Sequence, residues 1–502
     1  MIVGLPGPHL TEKDRAMLRT VRPAGVCLYR PNIESSGQVR ALVAEVKALY
    51  PHGLEPFIAV DEEGGTVSRL APGMFQLPGA MAVGAAGSAD LAEEAGRGLG
   101  TFLTGLGIDV DFAPVLEPAT NPASRTIGVR AFSDDPDRVA ELGAAFAAGL
   151  KAGGVLAVAK HFPGHGLAQV DSHFTAPALS ERSFDELDAS AAAFAAAQRR
   201  GCIDGIMIAH ATARALTGDD DPITFSRLVL TDYLRARRRF SGVVVTDALV
   251  MGSVQRSIPL PRAATRAVAA GADLVLIPAG PFELIHHALM EAISTGAIQP
   301  ERIASAVARV ATFRTAHQTQ RTGAGSALDL ETPRRVAERA VTVLRNDGKT
   351  LPLSKVRRLL VVTTSETFLA AARSLEPRQT LLLPGLGSEI AMPRTSWRPD
   401  ELAPVAAAAQ RADVIVAAVI NQEERSLLEI LRASDRPLVL VSLGRPLLLD
   451  DTSAEALVAT YSYTPAAAAA AIAVIRGDIP ARGKLPTALP HFPRGTGEPV
   501  LR

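Results

Sequence analysis

The sequence predicts an α/β chain: a TIM-like (β/α)8 barrel over residues 1–315, a linker at 316–332 and a smaller three-layer α/β/α domain over 333–502. Three observations carry that expectation. At 502 residues the chain exceeds an ordinary single domain. Eight short apolar runs lie near 1–4, 24–29, 56–61, 108–113, 155–160, 205–209, 242–246 and 272–277, mostly separated by segments of helical length. Strand alternating with helix argues for parallel βαβ units. Finally, Asp61, Asp111, Lys160, His161, His210 and Asp247 all stand at the C-terminal ends of these runs. A barrel gathers its strand ends at one mouth, whereas an open doubly wound sheet spreads them along an edge.

Composition narrows the class. Apolar residues make up 47% of the chain, enough for large cores, and 52 basic residues balance 52 acidic ones. A net charge of zero favours neither nucleic acid nor an anionic membrane as partner. Two cysteines, Cys27 and Cys202, argue against a disulfide framework. The first eight residues lack a basic, apolar leader, and no uncharged run of about twenty apolar residues occurs. A soluble cytoplasmic protein is expected, as monomer or homodimer.

The third run ends Asp61-Glu62-Glu63-Gly64-Gly65, a tight charged loop in which Asp61 serves a helix N-cap as readily as a ligand. The fourth leads to Arg130, which by itself could pair with Asp134 or Asp135 at the surface. Residues 185–200 read as one helix, and the strand after it ends in His210. Arg235 and Arg237 to Arg239 read as a solvated helix face. A fully apolar strand then ends at Asp247, which is held rigidly whether it caps a helix or points into the mouth. The eighth run closes the barrel. Past a polar, Gly-containing stretch at 318–326, residues 334–345 read as helix and Asn346 to Lys349 as a turn. Apolar runs at 358–364, 413–420 and 437–443 then suggest the second sheet.

The chemistry concentrates after the fifth run, in Lys160-His161-Phe162-Pro163-Gly164-His165-Gly166 and Asp171-Ser172-His173. Lys160 and His161 leave a buried strand, and a glycine-hinged loop carries the rest. Asp171 and His173 are two apart, so an extended backbone turns both to one face. An Asp accepting from one imidazole nitrogen holds the tautomer and frees the other for proton transfer. Read by themselves, these groups could equally be solvated, or three histidines and an Asp could bind a metal.

This stretch resembles the K-H-F-P-G-H-G…D-S-H signature of family 3 glycoside hydrolases, in the β-N-acetylhexosaminidase branch. Residues 61–70 are similar to the family's D-Q-E-G-G-x-V-x-R-L, with Glu62 where Gln is usual. Residues 127–136 resemble I-G-x-R-S-F-G-x-D-P, and residues 242–251 resemble G-x-x-x-S-D-x-L-x-M, with Thr246 and Ala248 departing from the common S-D-D form. The resemblance implies a retaining exo-β-N-acetylhexosaminidase. Asp247 would be the nucleophile, His173 the acid and base, and Asp171 its orienting partner. Asp61, Arg69, Arg130, Lys160 and His161 would bind the sugar, with His210 counted to the same site from behind them. Neither cofactor nor metal is implied. The substrate would be an N-acetylglucosamine-containing glycan, such as a peptidoglycan fragment met in cell-wall recycling, or a chitin oligomer. The glycine hinge would leave His173 mobile before substrate binds. A phosphorylase on the same site, a metal-dependent hydrolase using His161, His165, His173 and Asp171, another family 3 β-glycosidase and a non-catalytic sugar binder are the alternatives.

Overall fold

The computed structural model describes residues 1–122, 124, 126–165, 176–323, 328–353, 356–383, 397–420, 425–450 and 453–500. Eight parallel strands close into a barrel: β1 Ile2–Gly4, β2 Gly25–Leu28, β3 Phe57–Val60, β4 Val110–Asp111, β5 Leu156–Phe162, β6 Gly205–Ile208, β7 Val243–Ala248 and β8 Leu274–Ile277. Each coincides with one of the eight apolar runs. The closing pair is β1 with β8, in the register Ile2 to Leu276.

Both faces of these strands are buried, so they read as continuous apolar runs rather than alternating ones. The alternation exists but separates two cores. Ile2, Cys27, Ala59, Val158, Val243, Val245, Leu274 and Leu276 fill the barrel interior. Their neighbours Val3, Val26, Leu28, Ile58, Val244 and Val275 pack outward under the helices. Phe313, from the helix Pro300–Gly323, joins the interior cluster and meets Phe57 edge-to-face at 5.7 Å. That helix therefore stoppers the end of the barrel opposite the mouth.

A second, six-stranded sheet follows. Its strands are β9 Thr342–Asn346, β10 Leu359–Thr363, β11 Gln379–Leu382, β12 Val414–Val419, β13 Leu438–Ser442 and β14 Ala456–Ala459, in the order β11-β10-β12-β13-β14-β9. All neighbours are parallel except β9, which runs antiparallel to β14. Val361, Val416 and Val439 face the helices 332–340, 366–372 and 465–476, while Leu360, Ile415 and Leu440 face the opposite helical layer. The result is a three-layer domain with a mixed sheet.

Three local expectations are corrected. The segment 185–200 is two helices, Phe184–Ser190 and Ala192–Arg199, broken at Ala191. The helix expected over 334–345 stops at Ala340, and Thr342–Asn346 is β9. Val341, Thr342 and Val343 are β-branched, and the edge of β14 offers them a strand partner. Arg235 is no solvated charge. It donates to the carbonyls of Phe240 and Gly242 and meets the fully buried Asp273, which Arg302 and Arg309 share. Among the described residues no helix is long and apolar enough to cross a membrane.

Candidate active site

The loop after β3 is built by its glycines. Gly64 and Gly65 have φ of +75° and +59°, and a Cβ on Gly65 would lie 2.7 Å from the Pro78 carbonyl oxygen. Only glycine lets the chain reverse here. The reversal brings Arg69 back beside the end of β3. The Arg69 and Leu70 backbone N–H groups donate to Glu62 Oε2 at 2.7 and 3.2 Å, and the Arg69 guanidinium stands 4.0 Å from Asp61.

Lys160, near the end of β5, reaches across the mouth. Its buried ammonium lies 2.6 Å from Asp61 Oδ1 and 2.7 Å from Glu63 Oε1. Arg130 grips Glu63 with two parallel bonds of 2.8 Å and donates to its own loop at Thr126 O. Burial by itself would neutralise Glu63. Arg130 and Lys160 overcome it and hold the carboxyl well below the usual carboxylate range. Lys160 answers symmetrically: burial disfavours its charge, but Asp61 and Glu63 raise its pKa. Sequence reasoning missed Glu63, which it left in a charge run. Its partners are 67 and 97 residues away, so only the fold reveals them.

Glu117, following the β4 strand end, organises the start of the next loop. It accepts four bonds. The backbone N–H and Nδ1 of His161 reach Oε1 at 3.0 and 2.7 Å, and those of His165 reach Oε2 at 2.6 and 2.9 Å. Despite burial its carboxyl lies well below the usual range, because the two histidines outweigh desolvation. Burial lowers the pKa of His161, so it is neutral at pH 7. Neutral His161 with Nδ1–H on Glu117 presents Nε2 as an acceptor, 3.3 Å from the Arg130 guanidinium. The atoms of Glu117, His161 and His165 stand close enough to hold a metal ion. Their hydrogen bonds to one another already account for the carboxylate and both Nδ1 atoms.

Asp247 lies in β7, one residue from its end, and is partly open to the mouth while Val243 to Thr246 are buried. Ala248 N–H donates to its Oδ1 at 2.7 Å. Burial opposes its charge, yet His161, His210, the Ala248 N–H and Lys160 together lower its pKa. At neutral pH the permanent cation among these is Lys160. The Asp247 carboxylate in turn acts on Arg130 and Tyr29, so it shares one electrostatic neighbourhood with the Lys160 cluster. His210 is fully buried, with Nδ1 2.7 Å from Thr224 Oγ1 and Nε2 3.2 Å from the Ala248 carbonyl. Both its nitrogens hold the protein rather than face the mouth. The Thr246 hydroxyl, just before Asp247, accepts from Leu276 N–H at 3.1 Å and ties β7 to β8.

Behind Asp61, two carboxyls are buried side by side. Glu62 N–H donates to Asp111 Oδ1 at 2.9 Å, while Glu62 Oε1 and Asp111 Oδ2 find no partner among the described residues. Burial pushes the Glu62 carboxyl up to about 7, only partly opposed by Ser68 and the N–H groups of Arg69 and Leu70. Burial also raises Asp111 well above its ordinary value. With its carboxyl pushed up to about 7, Glu62 keeps its proton through mildly acidic pH, and in that form it is nearly isosteric with glutamine. The structure therefore joins Asp61, Arg69, Arg130, Lys160 and His161, with Asp247 and His210 beside them. Asp171 and His173 lie outside the described residues.

The glycosyl hydrolase family 3 N-terminal domain profile matches residues 3–313. A β-hexosaminidase of Pseudomonas aeruginosa is 37% identical over 278 residues, which are 55% of this chain and 81% of that protein. One of Chromobacterium violaceum is 38% identical over 290 residues, 56% of this chain and 79% of the relative. Among solved structures, a family 3 β-N-acetylglucosaminidase from Paenibacillus sp. FPU-7 superposes with a TM-score of 0.87 at 28% identity, covering 97% of both chains. A β-glucoside phosphorylase superposes at 0.81 with 20% identity, covering 97% of this chain and 92% of that one, a likeness of fold alone.

Proposed function

The chain belongs to glycosyl hydrolase family 3, and from that premise we propose that it is a retaining exo-β-N-acetylhexosaminidase. The observation that carries the reading is the neighbourhood of Asp247. An ionised, partly open carboxylate at the end of β7 stands in the field of Lys160 and His161, beside polar groups suited to sugar hydroxyls. Asp61 has acceptor capacity to spare, and the Lys160 ammonium has a third N–H beyond its two carboxylates. The Arg130 fork is fixed in orientation by Glu63. The preference for N-acetylglucosamine rests on the β-hexosaminidase relatives and on the Paenibacillus β-N-acetylglucosaminidase.

In this mechanism Asp247 forms a bond to the anomeric carbon as the glycosidic C–O bond breaks. His173 delivers its proton to the leaving oxygen, and Asp171 stabilises the imidazolium before that transfer. Water then attacks the anomeric carbon, gives a proton to His173 and releases Asp247. Departure from the usual two-carboxylate arrangement is confined to the acid and base. Peptidoglycan fragments as substrate, a cytoplasmic location and a catalytic domain spanning 1–315 complete the proposal, the first from the family resemblance and the last from the strand pattern.

The test compares a chromogenic β-N-acetylglucosaminide with the glucoside, for wild type and Asp247→Asn. Wild type should prefer the N-acetylglucosaminide, and Asp247→Asn should lose roughly 10³-fold or more in kcat, as loss of a nucleophile does. Equal activity of the two proteins would overturn the nucleophile. Sugar 1-phosphate released only with phosphate present would replace hydrolysis by phosphorolysis.

A further inference from the structure

We propose that Arg445, supplied by the second domain, is a positioning residue for the sugar-contacting turn Gly128–Arg130; the inference rests on the glycosidase reading above. Arg130 rides on a single 3-10 turn whose first residue, Gly128, has φ of +43°. A short turn with a left-handed residue carries little stability of its own. It is held on two sides. From the mouth, Glu63 takes the Arg130 guanidinium.

From the other side comes the second domain. Arg445 is 8% exposed, and its Cδ and Cγ lie 3.3 and 3.6 Å from where a Cβ of Gly128 would stand. Its stem thus packs on the turn, close enough that a Cβ at position 128 would press on it. Pro446, Leu447, Thr487 and Leu489 continue the seam against Ala119 and Pro122. The residues just after the turn are tied to the same domain. Ser133 Oγ donates to Pro486 O at 2.6 Å, Ala488 N–H donates to Asp134 at 2.8 Å, and Arg494 pairs with Asp134 and Asp135.

This arrangement gives the second domain a part in substrate binding through the turn it holds. The Pseudomonas β-hexosaminidase has four-fifths of its length matched by 278 residues of this chain. That leaves it no room for a second domain of this size, so its equivalent turn must be held otherwise. In this chain a small displacement of Gly128 is transmitted over two residues to the Arg130 fork. Arg130 spends Nε and Nη2 on Glu63 and one Nη1 N–H on Thr126 O, so the contact to substrate falls to the remaining Nη1 N–H, whose aim the turn sets.

The test uses the full chain with Arg445→Ala, Arg445→Met, Arg130→Ala and the Arg130→Ala/Arg445→Ala pair. Arg445→Ala should raise KM about fivefold with kcat within about twofold, the size expected for coupling between adjacent groups. Arg445→Met keeps an unbranched stem on Gly128 and should restore most of the loss. The double variant should have a KM no higher than that of Arg130→Ala, since the effect of Arg445 on substrate passes through Arg130. Amide hydrogen exchange at Gly128–Ala131 should quicken in Arg445→Ala. Additive effects of the two substitutions, or unchanged KM and exchange with only a lower Tm, would overturn the inference. A wild type inactive on the N-acetylglucosaminide but active on another glycoside would sink the substrate reading alone, with the Arg445 series then read on that glycoside.

Discussion

Glu62 and Glu63 are neighbours in sequence, both buried, and electrostatically opposite. Glu63 sits between Arg130 and Lys160 and stays ionised. Glu62 has two backbone N–H donors and a buried Asp111 beside it, forms no ion pair among the described residues, and its carboxyl rises to about 7. Desolvation acts on both in the same direction. What separates them is the course of the loop after β3, which sends Glu63 to the mouth where the cations gather and Glu62 toward Asp111 behind it. One buried carboxylate is thereby a fixed charge of the site, and its neighbour keeps a proton up to about pH 7 and positions the Arg69 loop.

The largest effect comes from erasing the charged member. Glu63→Gln leaves Arg130 and Lys160 buried with one anion fewer, and breaking a buried pair in this way costs about 3–5 kcal/mol. Urea unfolding at pH 7 should show a loss of that size, together with a higher KM because both cations proposed to contact the sugar lose their orientation. A variant as stable as wild type would mean that Asp61 suffices for Lys160 and that Glu63 is no anchor.

How far this contrast was legible beforehand differs by level. The eight barrel strands were readable because parallel strands buried on both faces form unbroken apolar runs, and the polar residues closing them marked the mouth. In the second domain β10, β12 and β13 were readable for the same reason. β11, exposed on alternate residues as the burial of Gln379–Leu382 shows, and the β9 and β14 pair were not. Asp61, Arg69, Arg130, Lys160 and His161 could be chosen as site residues, but the group that organises each pair could not. Glu63 and Glu117 meet partners 44 to 97 residues away, and no local spacing encodes such contacts. Glu62 was visible only as a departure from glutamine, and its meaning required its burial.

The neutral member should respond with the opposite sign. Glu62 has a folded pKa raised above the ordinary value of 4.5 to about 7, so the folded state binds the extra proton. Its contribution to stability is complete below pH 4.5 and is lost as pH rises to about 7. Glu62→Gln removes that titration. The variant should match wild type near pH 4.5 and be the more stable by about 3 kcal/mol at pH 8, since each pH unit between the unfolded and folded values is worth roughly 1.4 kcal/mol. Parallel stability curves across pH 4.5–8 would show that Glu62 is ionised in the folded protein, and the contrast with Glu63 would collapse.

Glu117 sharpens the comparison by supplying a third route to a buried carboxylate. It is held ionised by four N–H donors from His161 and His165, with no permanent cation in hydrogen-bond contact among the described residues. Glu117→Gln keeps one acceptor oxygen and turns an NH2 group toward the other donor pair, so two N–H groups lose their partner at a cost of about 1–3 kcal/mol. Because the carboxyl of Glu117 is depressed in the folded state, its stabilising part is present above the ordinary carboxylate range and lost on acidification. The deficit of Glu117→Gln should therefore be full at pH 7 and shrink as pH falls, the reverse of Glu62→Gln. The histidine tautomers give the more local readout. With Glu117 present, nitrogen NMR should find His161 protonated at Nδ1, and Glu117→Gln should move part of that population to Nε2, where it meets the Arg130 guanidinium. An unchanged tautomer in the variant would mean that Arg130 alone sets His161, and that N–H donors are not what distinguishes Glu117 from its two neighbours at the mouth.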